Sequence, residues 1–257
     1  MICERIIDCL GLPVNTRIDQ RVPKDVLSDQ AAATASDRRL VKDGIDSLIW
    51  LVSLKPSNIG VPSYVDDQRE YLEIAILQLR TRDLASKGAG LTRVTELLHR
   101  AIPYPVLLIV EGEETFLSVA HKRWSQNEKD KMVLEDNYPH SSVITENVPE
   151  AFWGDLALDR QPKASLLALY QGWLACLVAL DAWRETGRYC LFRDIDQLPQ
   201  QRQQLHEVRE LANEIARLRK QATKERQIAR QVELNLQIKR LEAERKALLN
   251  SLRGGVH

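Results

Sequence analysis

Residues 97–123 read LLHRAIPYPVLLIVEGEETFLSVAHKR, and the fold turns on what this stretch is. It carries two histidines, two arginines, a lysine and a tyrosine around a short apolar run, so it invites reading as a catalytic site. Local chemistry gives a different answer. Leu91, Val94, Leu97, Leu98 and Ile102 recur at helical spacing, which predicts an amphipathic helix over 91–102. His99 and Arg100 fall in its last turn, where cations meet the exposed carbonyls at a gain of about 0.3–1 kcal/mol. Pro103 and Pro105 end the helix and fix an extended path. YPVLLIV then reads as a buried strand, EGEE as a hairpin turn and TFLSVAHKR as the returning strand.

Working outward, residues 2–10 predict a short helix stopped by Gly11-Leu12-Pro13. A basic segment with Arg17, Arg21 and Lys24 follows. TASDRRLVKDGIDSL starts a second helix, with Thr34 or Ser36 as its cap. SLIWLVSLKP (47–56) reads as a strand stopped by Pro56, and EYLEIAILQLR (70–80) as a strand that alternates through Leu72, Ile74, Ile76 or Leu77, and Leu79. KGAG (87–90) reads as a flexible turn. The order is α-α-β-β-α-β-β. Residues 124–163, polar and interrupted by Pro139, Pro149 and Pro162, read as a long irregular excursion. SLLALYQGWLACLVALDAW (165–183) contains Gln171 and Asp181 and reads as a buried core helix rather than a membrane span, which needs about 20 mostly apolar residues.

From Pro199 to Leu252 no Gly or Pro interrupts a helical pattern, about 80 Å long if straight. It holds two apolar registers. Leu211, Ile215, Leu218, Ala222, Ala229, Val232 and Leu236 form one; Leu234, Ile238, Leu241, Leu248 and Leu252 form the other. They are offset by two residues, about 200° around the helix. The helix is therefore apolar on both sides around 228–241. Either it changes partner there, or it bends back so that one part packs on its mate and another on the body.

The expected fold is α/β (α+β): a small, mainly antiparallel sheet with flanking helices, then a helical segment and a long C-terminal coiled-coil-like helix. The expected division is an α/β domain over 1–140, an excursion and buried helix completing the core over 141–198, and the long helix over 199–252. The formal net charge is zero, but Gln201 to His257 carry 13 Lys+Arg against 7 Asp+Glu, so an acidic body bears a basic tail. Cys3, Cys9, Cys176 and Cys190 show no metal spacing and read as reduced cytosolic thiols, and the N-terminus does not read as a signal peptide.

No phosphate-binding loop, HExxH, GxSxG or EF-hand loop occurs, and the histidines 99, 121, 140, 206 and 257 lack ligand spacing. We expect no catalytic residue, metal or cofactor. A metal nuclease needs an acid on one strand and an acid-x-Lys on the next. Glu70 and Glu73 lack that continuation, and Glu128-Lys129-Asp130-Lys131 lacks the spacing. The functional competitor at the polar ends is a phosphate-contacting patch of Arg100, His121, Lys122 and Arg123, joined by Arg17, Arg21 and Lys24, with Trp124 for stacking. Leu211, Ile215, Leu218, Val232, Leu234, Leu236, Ile238, Leu241 and Leu248 are the expected self-association or partner residues of the long helix.

Four segments, TASDRRLVKDGIDSLIWLVSLKPSNIGVP, LLHRAIPYPVLLIVEGEETFLSVAHKR, LYQGWLACLVAL and RQVELNLQIKRLEAE, together resemble a bacterial family known only as a domain of unknown function. HRAIPYP, AHKR and VELNLQIK are its most distinctive motifs here. The resemblance implies an accessory protein of phage-defence islands that also hold helicases, DNA methyltransferases and restriction-like helicase–nucleases. It implies no catalytic residues. The expected function is thus a cytoplasmic, non-catalytic adaptor or structural subunit of an antiphage or restriction-modification-like complex. Its expected partners are a second copy and/or helicase- and methyltransferase-type proteins, with no membrane. The alternatives are a nucleic-acid-binding module and a degenerate nuclease.

Overall fold

The structure is a computed structural model and describes residues 1–25, 27, 34–82, 88–126, 132–136, 139–192 and 194–253. The charge run at 128–131, Lys87 and His257 lie outside the described residues. The chain divides into two compact units, Met1–Leu177 and Val178–His257.

The first unit is built on a six-stranded sheet in the order β1 (Arg17–Arg21), β2 (Ile45–Leu54), β5 (Ile74–Thr81), β6 (Val106–Glu111), β7 (Thr115–Val119) and β10 (His140–Ile144). All neighbours are antiparallel except β5 and β6. A parallel pair needs a crossover, and the helix α4 (Gly88–Ala101) supplies it. The central strands β5 and β6 are buried along nearly their whole length, so they show continuous apolar runs instead of alternation. This corrects the alternating reading of EYLEIAILQLR. That stretch is in fact two strands, β4 (Glu70–Tyr71) and β5; Leu72 between them is 48% exposed, and Glu73 is buried against Ser53 and Lys55.

The reading of 97–119 matches the structure: α4 ends at Ala101, β6 follows Pro105, and β6 pairs with β7 from Glu111↔Thr115 to Leu107↔Val119. Helix α1 (Ile2–Leu10) ends at Gly11, whose φ of 59° is the left-handed cap that glycine adopts without strain. Helix α2 (Ala35–Gly44) is capped by Thr34, whose hydroxyl accepts from the Asp37 amide at 3.1 Å. Helices α2 and α4 pack Val41, Val94, Leu97 and Leu98 against Leu48, Leu77 and Leu108 of the sheet. The lash between them is Arg93, which grips Asp37 through two 2.9 Å bonds and Glu96 through a third.

Several expectations are corrected. The basic segment around Arg17 is the edge strand β1, exposed throughout. Gly88–Gly90 form the first turn of α4 rather than a loop. The returning strand ends at Val119, and Lys122 starts a separate strand, β8 (Lys122–Trp124), paired with β9 (Met132–Leu134). The excursion begins at the end of β8 and contains β9, the edge strand β10 and the helix α5 (Glu150–Asp155). The two-residue strands β3 (Tyr64–Val65) and β4 form another small hairpin, and Pro56–Ile59 form a single helical turn, α3.

Helix α6 (Leu166–Thr186) is long and apolar enough to cross a membrane by length and composition, yet 83% of its most apolar window is buried in the fold. In its first half, Tyr170 and Trp173 are fully buried. Gly172 admits no side chain, because a Cβ there would meet the Gln161 amide oxygen and lie 2.7 Å from Pro162 Cδ.

The C-terminal pattern is not one helix. It is α7 (Leu198–Lys224) and α8 (Ile228–Leu252), broken at Glu225 and folded into an antiparallel hairpin. Glu225 is extended (φ −74°, ψ 131°), and its carboxylate accepts from the amides of Arg226 (2.8 Å) and Gln227 (2.9 Å). Gln231 Nε2 donates to the Ala222 carbonyl at 3.3 Å. Side chains thus satisfy backbone groups that the break would leave unpaired.

Candidate functional site

The two polar ends of 97–123 meet different fates. His99 is fully buried, and its Nε2 lies 3.0 Å from the Ser118 hydroxyl, which accepts from Ser141 Oγ at 2.9 Å. Burial, reinforced by Lys122, pushes the His99 pKa down to about 3, so the ring is neutral. Lys122 is 2% exposed. Its ammonium donates to the Tyr104 carbonyl at 2.7 Å and to the Ile102 carbonyl, two groups that the ended helix cannot pair. Burial pulls its pKa down to about 7. Between them, His121 Nδ1 meets the Tyr71 hydroxyl at 2.5 Å, and the His121 ring packs edge-on against Tyr170 with centroids 5.3 Å apart.

Tyr170 closes this polar core. Its hydroxyl donates to the Val106 carbonyl at 2.6 Å and accepts from the Ala120 amide at 2.8 Å, where β7 leaves the sheet. Burial pushes the Tyr71 and Tyr170 hydroxyls far up, so both stay protonated.

The patch of Arg100, His121, Lys122 and Arg123 therefore does not form one surface. Lys122 is inside and His121 faces the aromatic cluster. Arg123 bonds the Trp124 carbonyl at 3.2 Å. Arg100 is exposed, with its guanidinium 2.7 Å from Glu96. Lys24 caps the end of α2 through the carbonyls of Ile45 and, at 3.5 Å, Lys42. Arg17 lies 3.6 Å from Asp19, and Arg21 reaches the Asp46 carbonyl at 3.4 Å.

What the ends do build is an open cleft of about 340 Å³. Its walls come from three places: Glu70 and Leu72 at the β3–β4 hairpin, Arg100, Ala101, Pro103 and Tyr104 at and just past the end of α4, and Trp124 with Met132 on the β8–β9 hairpin. The two hairpins are tied by the Trp124 amide bonding the Gln68 carbonyl at 2.7 Å and by Arg69 gripping Glu135. Sequence reading singled out Arg100 and Trp124 as contact residues and weighed Glu70 only as a nuclease acid; it did not reach Met132, because nothing local says that a two-residue strand at 70 faces a second hairpin. Among the described residues, no three of His, Cys, Asp and Glu stand close enough together to hold a metal ion.

In the second unit the hairpin sorts the two apolar registers. Ile215, Leu218 and Ala222 of α7 bury against Leu234 and Ile238 of α8, with Leu241 packed beside them. Leu205 and Val208 pack on Leu252, with Leu248 and Leu249. Leu211 is half-buried. The end of the first register is left over on the outside of α8, where Val232 is 51% and Leu236 54% exposed, joined by Ile228 at 78%. Spaced by four, these three make one stripe about 12 Å long. Lys239 and Arg240, both exposed, continue it by one turn and have no ion-pair partner among the described residues.

A family model described as "Domain of unknown function (DUF4391)" matches residues 10–244. No curated protein and no solved structure matches the chain.

Proposed function

The chain belongs to the DUF4391 family, and on that premise we propose that it is a non-catalytic adaptor subunit that docks on a partner protein through the outer face of α8. The observation that carries this reading is the leftover stripe. The hairpin's seam takes Ile215, Leu218 and Ala222 from one register and Leu234 and Ile238 from the other, and it leaves Ile228, Val232 and Leu236 in water, followed by Lys239 and Arg240. An apolar helix face with anchors at i, i+4 and i+8 suits a hydrophobic groove on another protein, and the two cations suit an acidic rim. Three anchors on two turns give too little area for two copies to hold together, since stable interfaces bury about 1,200–2,000 Å². The occupant proposed is therefore a different protein with a deeper groove.

The non-catalytic part of the reading is supported by where the strongly perturbed groups sit. His99, Lys122 and Tyr170 are sealed in the core, each bonded to a backbone carbonyl or a serine, whereas catalytic acids and bases face a substrate. The setting, a bacterial antiphage or restriction-modification-like complex, is carried by the motif resemblance.

The test is co-purification from the native host with a tagged chain, comparing wild type with Val232→Asp/Leu236→Asp. Helical content by circular dichroism should be unchanged in the variant, because both positions lie outside the seam. Loss of a stoichiometric partner from the variant alone is expected. Retention of the same partners, or a wild-type dimer that the variant converts to monomer, overturns the proposal.

A further inference from the structure

The cleft at the end of α4 is lined by Leu72 and Met132, the rings of Tyr104 and Trp124, and two charges, Glu70 and Arg100. We infer that it binds a cationic group on an aliphatic stem, an ammonium or a guanidinium. The inference does not rest on the adaptor reading.

Charge decides the class of ligand. Arg100 is already committed: its guanidinium sits 2.7 Å from Glu96 Oε1, and Glu96 belongs to a four-membered network with Arg93 and Asp37. Two cations and two anions make that network neutral. Glu70 is different. Its carboxylate, half-buried at the cleft wall, has no hydrogen-bond or ion-pair partner among the described residues. Among the described residues, the lining therefore carries one negative charge with no counter-charge. A phosphate or other anion would face Glu70 and find Arg100 already paired. A cation would meet Glu70 and two aromatic side chains, whose faces attract positive charge. Leu72 and Met132 suit the methylenes behind it, and a thioether adapts to an irregular stem. The volume lies at the low end of the roughly 300–1,000 Å³ of small-ligand sites, which suits one long side chain or a small organic cation rather than a nucleotide with its phosphates.

The experiment titrates the full chain, by calorimetry and by tryptophan ring NMR with Trp124→Phe to assign the Trp124 signal. The probes are Nα-acetyl-arginine amide, Nα-acetyl-lysine amide, agmatine, the uncharged norleucine amide and adenosine monophosphate. The cations are expected to shift the Trp124 resonance and to bind at least about tenfold more tightly than norleucine amide. Glu70→Gln should weaken them about tenfold, and so should salt that shortens the screening length from about 10 Å to about 3 Å. Arg17→Gln, on the far-edge strand β1, should leave binding unchanged. Tighter binding when the arginine sits inside a short peptide identifies a partner's basic side chain as the source; equal binding of agmatine identifies a free organic cation. Binding that is indifferent to Glu70→Gln, preference for the nucleotide or the uncharged stem, or no cation binding at about 10 mM overturns the inference.

Discussion

Replacing Lys122 by methionine keeps the buried stem and removes the ammonium sealed under the HRAIPYP turn. The consequence is a pH dependence of known sign. Burial lowers the Lys122 pKa from 10.5 to about 7 in the folded protein, while the unfolded chain keeps its proton to about 10.4. Between pH 7 and about 10 the unfolded state therefore binds one more proton, and stability rises with pH by up to about 1.4 kcal/mol per unit. Below pH 7 the lysine is charged in both states, and the cost of burying it is constant. Methionine carries no proton, so this slope vanishes in the variant. His99, held neutral with a pKa near 3, does not titrate in the window. Losing the partner of two carbonyls adds a pH-independent cost of about 1–3 kcal/mol each. From about pH 7.5 to about pH 9.5 the stability difference should move by about 2–3 kcal/mol in favour of wild type. Urea unfolding followed by tryptophan fluorescence measures this, because every tryptophan except Trp183 lies in the Met1–Leu177 unit. Parallel curves for the two proteins would refute the buried-ammonium argument.

Three further outcomes follow from the packing. Tyr170→Phe leaves the Ala120 amide and the Val106 carbonyl without their hydroxyl partner and should cost about 2–4 kcal/mol in urea unfolding. Gly172→Ala forces a Cβ against Gln161 and Pro162 and should destabilise by about 1–3 kcal/mol despite alanine's better helix propensity; a stabilised variant would mean the helix sits farther from that turn. In the hairpin, Leu234→Ala should cost about 2–5 kcal/mol and reduce helicity by circular dichroism, while Val232→Ala, two residues away and outside the seam, should stay within about 0.5 kcal/mol.

Parts of the fold are legible in the sequence, and parts are not. The helix, proline turn, strand and hairpin of 97–119 were readable because each local signal agreed with its neighbours, and the Thr34 cap was readable for the same reason. Strands β8, β9 and β10 were not, because three to five residues among prolines show too little periodicity. The break in the C-terminal helix carries no Gly or Pro; Glu225 and Gln231 satisfy the backbone there by side-chain bonds. Its signal was the two-residue offset between registers. One register's start, 215 to 222, faces the other's start, 234 to 241, and the first register's end is left outside. Lys122 looked like a surface cation because sequence gives no hint that the Ile102 and Tyr104 carbonyls, just past the end of α4, lie within its reach. The cleft depends on three elements distant in sequence, so Arg100, Trp124 and Glu70 could be noticed beforehand but not brought together.

If a partner docks on the outer face of α8, that face must lie within reach of it in the cell. A photo-crosslinking residue placed at Val232, and separately at the exposed Asn213 of α7, tests it in the native host. A discrete crosslinked protein of a different chain from Val232 and none from Asn213 is the expected result. Crosslinking from Asn213 alone, from both positions equally, or only to a second copy of this chain would contradict it.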